Sequence, residues 1–252
     1  MKTKYLLILL SVLAWVACKQ PNQELEVVGN PPAEGFNLTD SDEKAIQIAD
    51  EVMEALGGRK AWDDTKYIKW NFFNSRKHVW NKHTNDVVIE GIRDTFLIKM
   101  NLDKIEGTVN YHGVELTKAD SLDKYLERGK SMWINDAYWL VMPYKLKDSG
   151  VTLKYMRQDT TQSGKMSDIL ELTFDSVGDT PDNKYEIYVD PDSKLVTQWD
   201  FYTRYTDSFP RFQIPWNNYE RHGNIMLSGD RGGNRKLTGI AVGDSLSIYF
   251  SE

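Results

Sequence analysis

The sequence predicts an α+β, mainly β domain: a large curved antiparallel sheet of about eleven strands with a few helices packed on its concave face. Three observations carry the prediction. Short runs that alternate apolar and polar residues recur from Ile68 to Phe250, separated by Asn, Asp, Lys and Gly turns. One amphipathic helical stretch precedes them. A second helical stretch interrupts them at residues 115–148. A sheet of that size curls, and helices on its concave side enclose apolar space.

The first helix has Asp40, Ser41 and Asp42 as caps, and Ala45, Ile48, Ala49, Val52, Met53 and Leu56 recur at helical spacing. Gly57-Gly58 ends it, because glycine adopts the left-handed conformation of a helix C-terminus at little cost. Strands follow at Ile68, Trp70 and Phe72; at Val87 and Ile89; at Phe96, Ile98 and Met100; and at Ile105, Val109 and Tyr111. In the interruption, Leu116, Leu122, Tyr125, Leu126 and Met132 fit a helix ending near Gly129. Residues 136–142 fit a second short helix stopped by Pro143. Strands then return over 151–157, 169–174, 185–189, 195–202, 217–227, 236–242 and 246–250, with a turn at Asp190-Pro191-Asp192-Ser193.

Three segments are expected along the chain. Residues 1–17 read as an export signal: Lys2 and Lys4 precede an uncharged, mostly apolar run over 5–17. That run is shorter than the roughly 20 residues a membrane-spanning helix needs. Residues 18–41 are polar or rich in Pro and Gly, without periodicity, and read as a flexible tether reaching roughly 25 Å. Residues 42–252 form the single folded domain, long enough for a substantial core. The chain carries 31 basic and 37 acidic side chains, and loss of Lys2 and Lys4 leaves 29 against 37. So acidic a domain argues against nucleic acid as a partner and against charge-driven binding to anionic lipid headgroups.

The segment Trp15-Val16-Ala17-Cys18 resembles the lipobox of bacterial lipoproteins, with Trp15 standing where that family prefers leucine. The resemblance implies that Cys18 is acylated, that the signal is cut before it, and that the lipid holds the chain to a membrane. As the sole cysteine, Cys18 has no partner for an internal disulfide. Lys19 is not the aspartate linked to inner-membrane retention in some bacteria, which points to the outer membrane of the cell envelope. Two further motifs, Ala55-Leu56-Gly57-Gly58 followed by Trp62, and Asp136-Ala137-Tyr138-Trp139-Leu140-Val141-Met142-Pro143-Tyr144, resemble segments of the LolA/LolB/LppX-like envelope proteins. The whole domain is similar, more closely, to a family of exported bacterial proteins without an assigned activity. The superfamily resemblance implies an incomplete β-barrel closed by helices, whose better-understood members hold acyl chains or other lipids between sheet and helices. Arg76 and Arg93 lie in strand regions, but their spacing marks neither as a cargo-gripping arginine.

No motif carries catalysis. Gly243-Asp244-Ser245-Leu246 spells a hydrolase signature, but it stands at the chain's end with no Asp-x-x-His, and it reads as a turn between two terminal strands. His78, His83, His112 and His222 lack metal-ligand spacing and read as exposed or turn residues. Asp63-Asp64 and Asp190/Asp192 read as capping and turn carboxylates. Gly229-Asp230-Arg231-Gly232-Gly233-Asn234 reads as a hairpin loop, since it lacks the Lys-Ser/Thr of a phosphate-binding loop. No cofactor, metal or enzymatic activity is expected, and the sequence names no protein partner.

The aromatic content, eight Trp, thirteen Tyr and nine Phe, is the informative signal. Strand parity puts Trp70, Phe72, Phe96, Ile98, Met100, Leu153, Tyr155, Leu172, Phe174, Trp199 and Phe201 on one face, opposite Trp133, Trp139 and Met142 from the helices. Parity does not distinguish a filled core from a cavity that accepts a ligand. Two functions follow: a lipid-anchored, non-enzymatic envelope protein that binds or carries a lipid, acyl chain or other hydrophobic molecule, or a structural lipoprotein with a filled core that works through its outer surface in an envelope complex.

Overall fold

The computed structural model describes residues 29–175 and 178–250. Cys18, the expected signal and the first part of the expected tether lie outside the described residues. Helix α1, Glu43–Ala55, buries the stripe that the sequence spells. Asp42 does not cap it by side chain; its Oδ2 accepts the Tyr155 N–H at 2.9 Å instead. Gly57 has φ +117°, and a Cβ there would stand 2.3 Å from the Asn224 carbonyl oxygen, so the turn requires glycine. A short helix α2, Arg59–Asp64, follows and buries Trp62. Its six residues are too few to show a periodic stripe in the sequence.

The protein is mainly antiparallel β with a few helices, and the sheets do not close into a barrel. Strands β1 (Tyr67–Phe72), β2 (Arg76–Asn81), β3 (Asp86–Gly91), β4 (Phe96–Asn101), β5 (Glu106–Tyr111) and β6 (Val114–Glu115) form a meander. The late strand β14 (Leu237–Val242) pairs with the free edge of β1, completing a seven-stranded sheet A. Strands β7 (Val151–Thr160), β8 (Met166–Phe174), β9 (Lys184–Val189), β10 (Val196–Tyr202) and β11 (Phe212–Pro215) form a five-stranded sheet B in the order β11-β10-β9-β8-β7. A separate hairpin, β12 (Asn217–His222) and β13 (Ile225–Asp230), turns at Gly223-Asn224 where the sequence suggested one strand. The strands therefore fall into three hydrogen-bonded sets, where one continuous sheet was expected. The long helix between β6 and β7 lets β7 start a new sheet, and the sheets meet through their core.

That helix, α3, spans Ala119–Val141 without a break, where two helices separated near Gly129 were expected. Leu126, Gly129, Ala137 and Leu140 are all buried along it, so the helical stripe runs through the glycine. Gly129 marks a close approach: a Cβ there would stand 3.0 Å from Met100 Sδ and 3.2 Å from Ile98 Cδ1 on β4. The glycine seats α3 on sheet A. A 3-10 turn, Met142–Lys145, follows.

Two further differences concern the ends. Residues 246–250, expected as a strand, belong to a 3-10 helix over Asp244–Phe250. Leu246 packs there with Tyr67, Val79 and Val88 on the outer face of sheet A, and the Phe250 ring lies 5.7 Å from that of Tyr67. Residues 29–41, expected as tether, lie on the domain: Phe36 is buried, Asn37 N–H donates to Val151 O at 3.0 Å and Asp42 N–H to Leu153 O at 2.9 Å. The segment thus covers the free edge of β7, an edge that would otherwise expose unpaired backbone groups. Among the described residues no helix is long and apolar enough to cross a membrane.

Candidate functional site

The inner face of sheet B is built by register. Phe201 stands opposite Tyr185 on one side and Phe212 on the other, while Trp199 stands opposite Ile187 and Ile214. Alternation along each strand sends all six side chains to the same face. Leu153, Leu170 and Ile187 of the same sheet are fully buried in the core. Beside them the sheet and α3 part, leaving a cavity of about 650 Å³. That volume falls within the range of roughly 300–1,000 Å³ usual for small-molecule sites.

Rings form most of the wall. Trp139 lies edge-on to Trp199 at 4.9 Å and near-parallel to Phe212 at 6.0 Å. Tyr185 stacks on Trp199 at 5.0 Å and touches Phe201 at 5.2 Å. Tyr138, Phe174, Trp133 and Trp80 complete the aromatic lining. The rim is polar: Lys145 pairs with Asp148, and Asn183 Nδ2 donates to Thr180 Oγ1 at 2.6 Å, with Asp179 beside them. Three buried donors of the lining residues, Trp133 Nε1, Trp199 Nε1 and the Tyr138 hydroxyl, have no acceptor among the described residues. Burial pushes the Tyr138 hydroxyl far above its ordinary pKa, so it stays a neutral donor at any physiological pH.

Of the residues that the sequence nominated, Trp133, Trp139, Phe174, Trp199 and Phe201 line this cavity. Trp70, Phe72, Phe96, Ile98 and Met100 do not: they fill the space between sheet A and α3, together with Met142. Tyr155 also stands apart; its hydroxyl donates to Asp168 Oδ1 at 3.1 Å and the Lys44 ammonium lies 3.4 Å from its ring centroid. Parity identifies a face but not the position along it, and the two sheets share the residue types. The sequence reading missed Trp80, Tyr138, Tyr185 and Phe212. Tyr185 was accessible, since it begins an alternating run with Ile187 and Val189.

Two buried polar clusters hold α3 in place. Asp136, on α3, accepts hydrogen bonds from Arg76 Nε at 2.6 Å, Arg76 Nη2 at 2.8 Å, His78 Nε2 at 2.7 Å and Asn135 Nδ2 at 2.9 Å. Burial alone would raise the Asp136 carboxyl, but the His78 and Arg76 hydrogen bonds outweigh it and hold it below the ordinary range. His78 is fully buried and stacks on Trp70 at 4.7 Å, a correction to its expected place in a turn or on the surface. Burial lowers its pKa against the pull of Asp136, so it is neutral at pH 7 and donates through Nε2–H, since a carboxylate only accepts. The second cluster centres on Arg231, in the loop joining β13 and β14. Its Nη2 donates to Trp139 O at 2.6 Å and to Ser228 O at 2.9 Å, and its guanidinium lies 3.4 Å from the Trp216 ring centroid. A cation thus satisfies a carbonyl in the last turn of α3, where the helix dipole favours positive charge. Burial lowers the Arg231 pKa to about 9, still high enough to keep the charge at neutral pH.

The other motifs are structural. Ser245 lies in the 3-10 helix that follows Gly243, rather than between two strands. Asp190 Oδ1 accepts the Asp192 and Ser193 N–H groups in a turn, while Asp63 and Asp64 pair with Arg59 and Lys60 along α2. Among the described residues no group of three or more His, Cys, Asp or Glu side chains is gathered that could hold a metal ion.

No protein-family model and no curated protein matches the chain. Among solved structures, the chain is similar to a DUF1329 family protein from Desulfovibrio piger, at 12% identity, 82% of this chain, 97% of that one and TM-score 0.43. It is also similar to a Vibrio parahaemolyticus domain named for outer membrane lipoprotein sorting, at 11% identity, 80% of this chain, 91% of that one and TM-score 0.37. At these scores the likenesses carry no argument about function.

Proposed function

We propose that this protein holds an apolar molecule in the cavity between α3 and sheet B, and does so as a non-enzymatic protein of the bacterial envelope. The observation that carries the reading is the cavity: about 650 Å³ lined by rings from two layers that elsewhere pack tightly. Burial of apolar ligand surface there is worth about 25 cal/mol per Å². A lipid or acyl chain is one candidate occupant. A lipid on Cys18 would hold the chain to a membrane, with the outer membrane as its expected location. The alternative, an interaction lipoprotein with a filled core, fits the sheet A side but leaves the cavity unexplained.

Native mass spectrometry of the full chain, extracted gently from membranes, tests the reading. A bound apolar molecule is expected, and its occupancy should fall when Phe201→Arg puts a charge into the wall. A chain that carries no such molecule and takes up no apolar probe would falsify the proposal. Cys18→Ser is expected to move the folded chain from the membrane to the soluble fraction; retention on the membrane would refute attachment through Cys18.

A further inference from the structure

The surface loop over 203–211, which joins β10 to β11, carries two rings that the fold does not use. Resting on the membrane attachment proposed above, we propose that this loop docks on the phospholipid surface through Phe209 and Tyr205. Phe209 is 84% exposed, the most of any large apolar side chain among the described residues, and Tyr205 is 60% exposed. The loop backbone is pinned. Arg204 N–H donates to Asp207 Oδ2 at 2.9 Å, Tyr205 N–H to Asp182 O at 2.7 Å and Arg211 N–H to Phe201 O at 2.7 Å. Rings presented on a fixed backbone leave less freedom to be lost on binding.

Three observations select a lipid surface over a protein partner. The first is area. Two aromatic side chains bury about 300–500 Å², short of the roughly 800 Å² per partner that a stable protein interface uses. Rings at headgroup depth need no such area. The second is the neighbouring charge. Arg204 and Arg211 are exposed, and neither guanidinium has an ion pair or side-chain hydrogen bond among the described residues. A guanidinium grips a phosphate through two parallel hydrogen bonds. Asp207 and Asp182 keep the loop from being strongly basic, so the arginines act as ligands of single phosphates, not as a long-range field. The third is where the chain enters. Phe201 and Phe212, which flank the loop, line the cavity together with Asp148. Next to Asp148, Lys147 Nζ donates to Asn30 O, and Lys147 O accepts the Ala33 N–H at 2.9 Å. The described chain therefore begins beside the same cavity. Residues 19–28 separate Cys18 from Gly29 and span at most roughly 40 Å, so a lipid on Cys18 would hold this side of the domain near the bilayer.

Quenching by lipid-borne spin labels tests the docking. A fluorophore is attached at Ser208→Cys, beside Phe209, in the full chain purified from membranes; acylation of Cys18 leaves the new thiol as the reactive one. The same fluorophore at Val114→Cys is the reference: Val114 is 65% exposed on β6, just before α3, and the cavity lies along the other half of that helix. Both chains are bound to vesicles of phosphatidylethanolamine and phosphatidylglycerol that carry a spin-labelled phospholipid. Quenching is expected at position 208 and not at 114. Phe209→Ser should abolish it. Arg204→Gln and Arg211→Gln should each lower the ratio of docked to undocked chains about fivefold. All three side chains are exposed, so urea unfolding should be unchanged in each variant. Quenching at 208 no greater than at 114, or insensitive to Phe209→Ser, overturns the docking and leaves attachment through Cys18 standing. Loss of the chain from the vesicles altogether overturns both.

Discussion

Sheet A and sheet B present the same kinds of residue to α3, yet one side is filled and the other is open. Against sheet A the helix sits close: Gly129 admits Met100 and Ile98, and Asp136 locks onto Arg76 and His78 of β2. Arg231 adds a third attachment from the β13–β14 loop. Toward sheet B the helix presents Tyr138 and Trp139, whose rings meet Trp199 at 5.9 and 4.9 Å while space remains beside them. A helix held firmly to one layer cannot close fully on the other. The cavity is thus a consequence of where α3 is attached, more than of which residues line it.

The comparison can be broken most directly at Asp136. Asp136→Ala leaves Arg76 and His78 without their acceptor and should cost about 3–5 kcal/mol in urea unfolding, the usual penalty for breaking a buried charge cluster. A loss below about 1 kcal/mol would mean that the cluster does not hold the helix. Next come paired truncations. Ile98→Ala opens a void in the filled side and should cost about 2–5 kcal/mol. Phe201→Ala only widens a space that already exists, and should cost about 1–2 kcal/mol, below the usual range for a core phenylalanine. Equal losses at the two positions would show that the cavity is filled in solution.

Gly129→Leu sharpens the same point. It wedges α3 away from β4 and should cost about 1–3 kcal/mol. Because the helix moves toward sheet B, occupancy by an apolar probe should fall together with stability; stability loss with unchanged occupancy would separate helix seating from the cavity. The smallest expected effect is on pH dependence. His78 has a folded pKa below its ordinary 6.5. The unfolded chain therefore binds a proton that the folded chain refuses, and stability falls as pH drops below about 6.5. Above that value the contribution is fully present. His78→Phe should flatten the slope between pH 6.5 and the onset of carboxylate titration; an unchanged slope would place the pH sensitivity elsewhere.

Much of the fold was legible locally. The alternation in β1, β4, β8 and β10 and the stripe of α1 follow from side-chain period, which depends on nearby residues alone. Strand β2 was missed because Arg76-Lys77-His78-Val79-Trp80-Asn81 has no simple alternation: His78 and Trp80 face the core, and Val79 packs on the opposite face of the sheet. Gly129 was read as a helix end because intrinsic propensity disfavours glycine within helices, but the contact with β4 overrides that preference. The five nominated residues that line the cavity and the seven that do not share one pattern, so parity could not separate them.

By itself, the sequence determined the class of the fold, the stripe of α1, the inward face of most strands and the wealth of rings on that face, because each depends on short-range periodicity. Only the tertiary structure decided that β7 begins a second sheet, that α3 runs unbroken, that His78 and Asp136 meet across 58 residues and that the space lies against sheet B. These depend on contacts between segments distant in the chain. Whether two inward-facing layers meet or leave room is set by how a third element is held between them, and that information is not contained in any one stretch of residues.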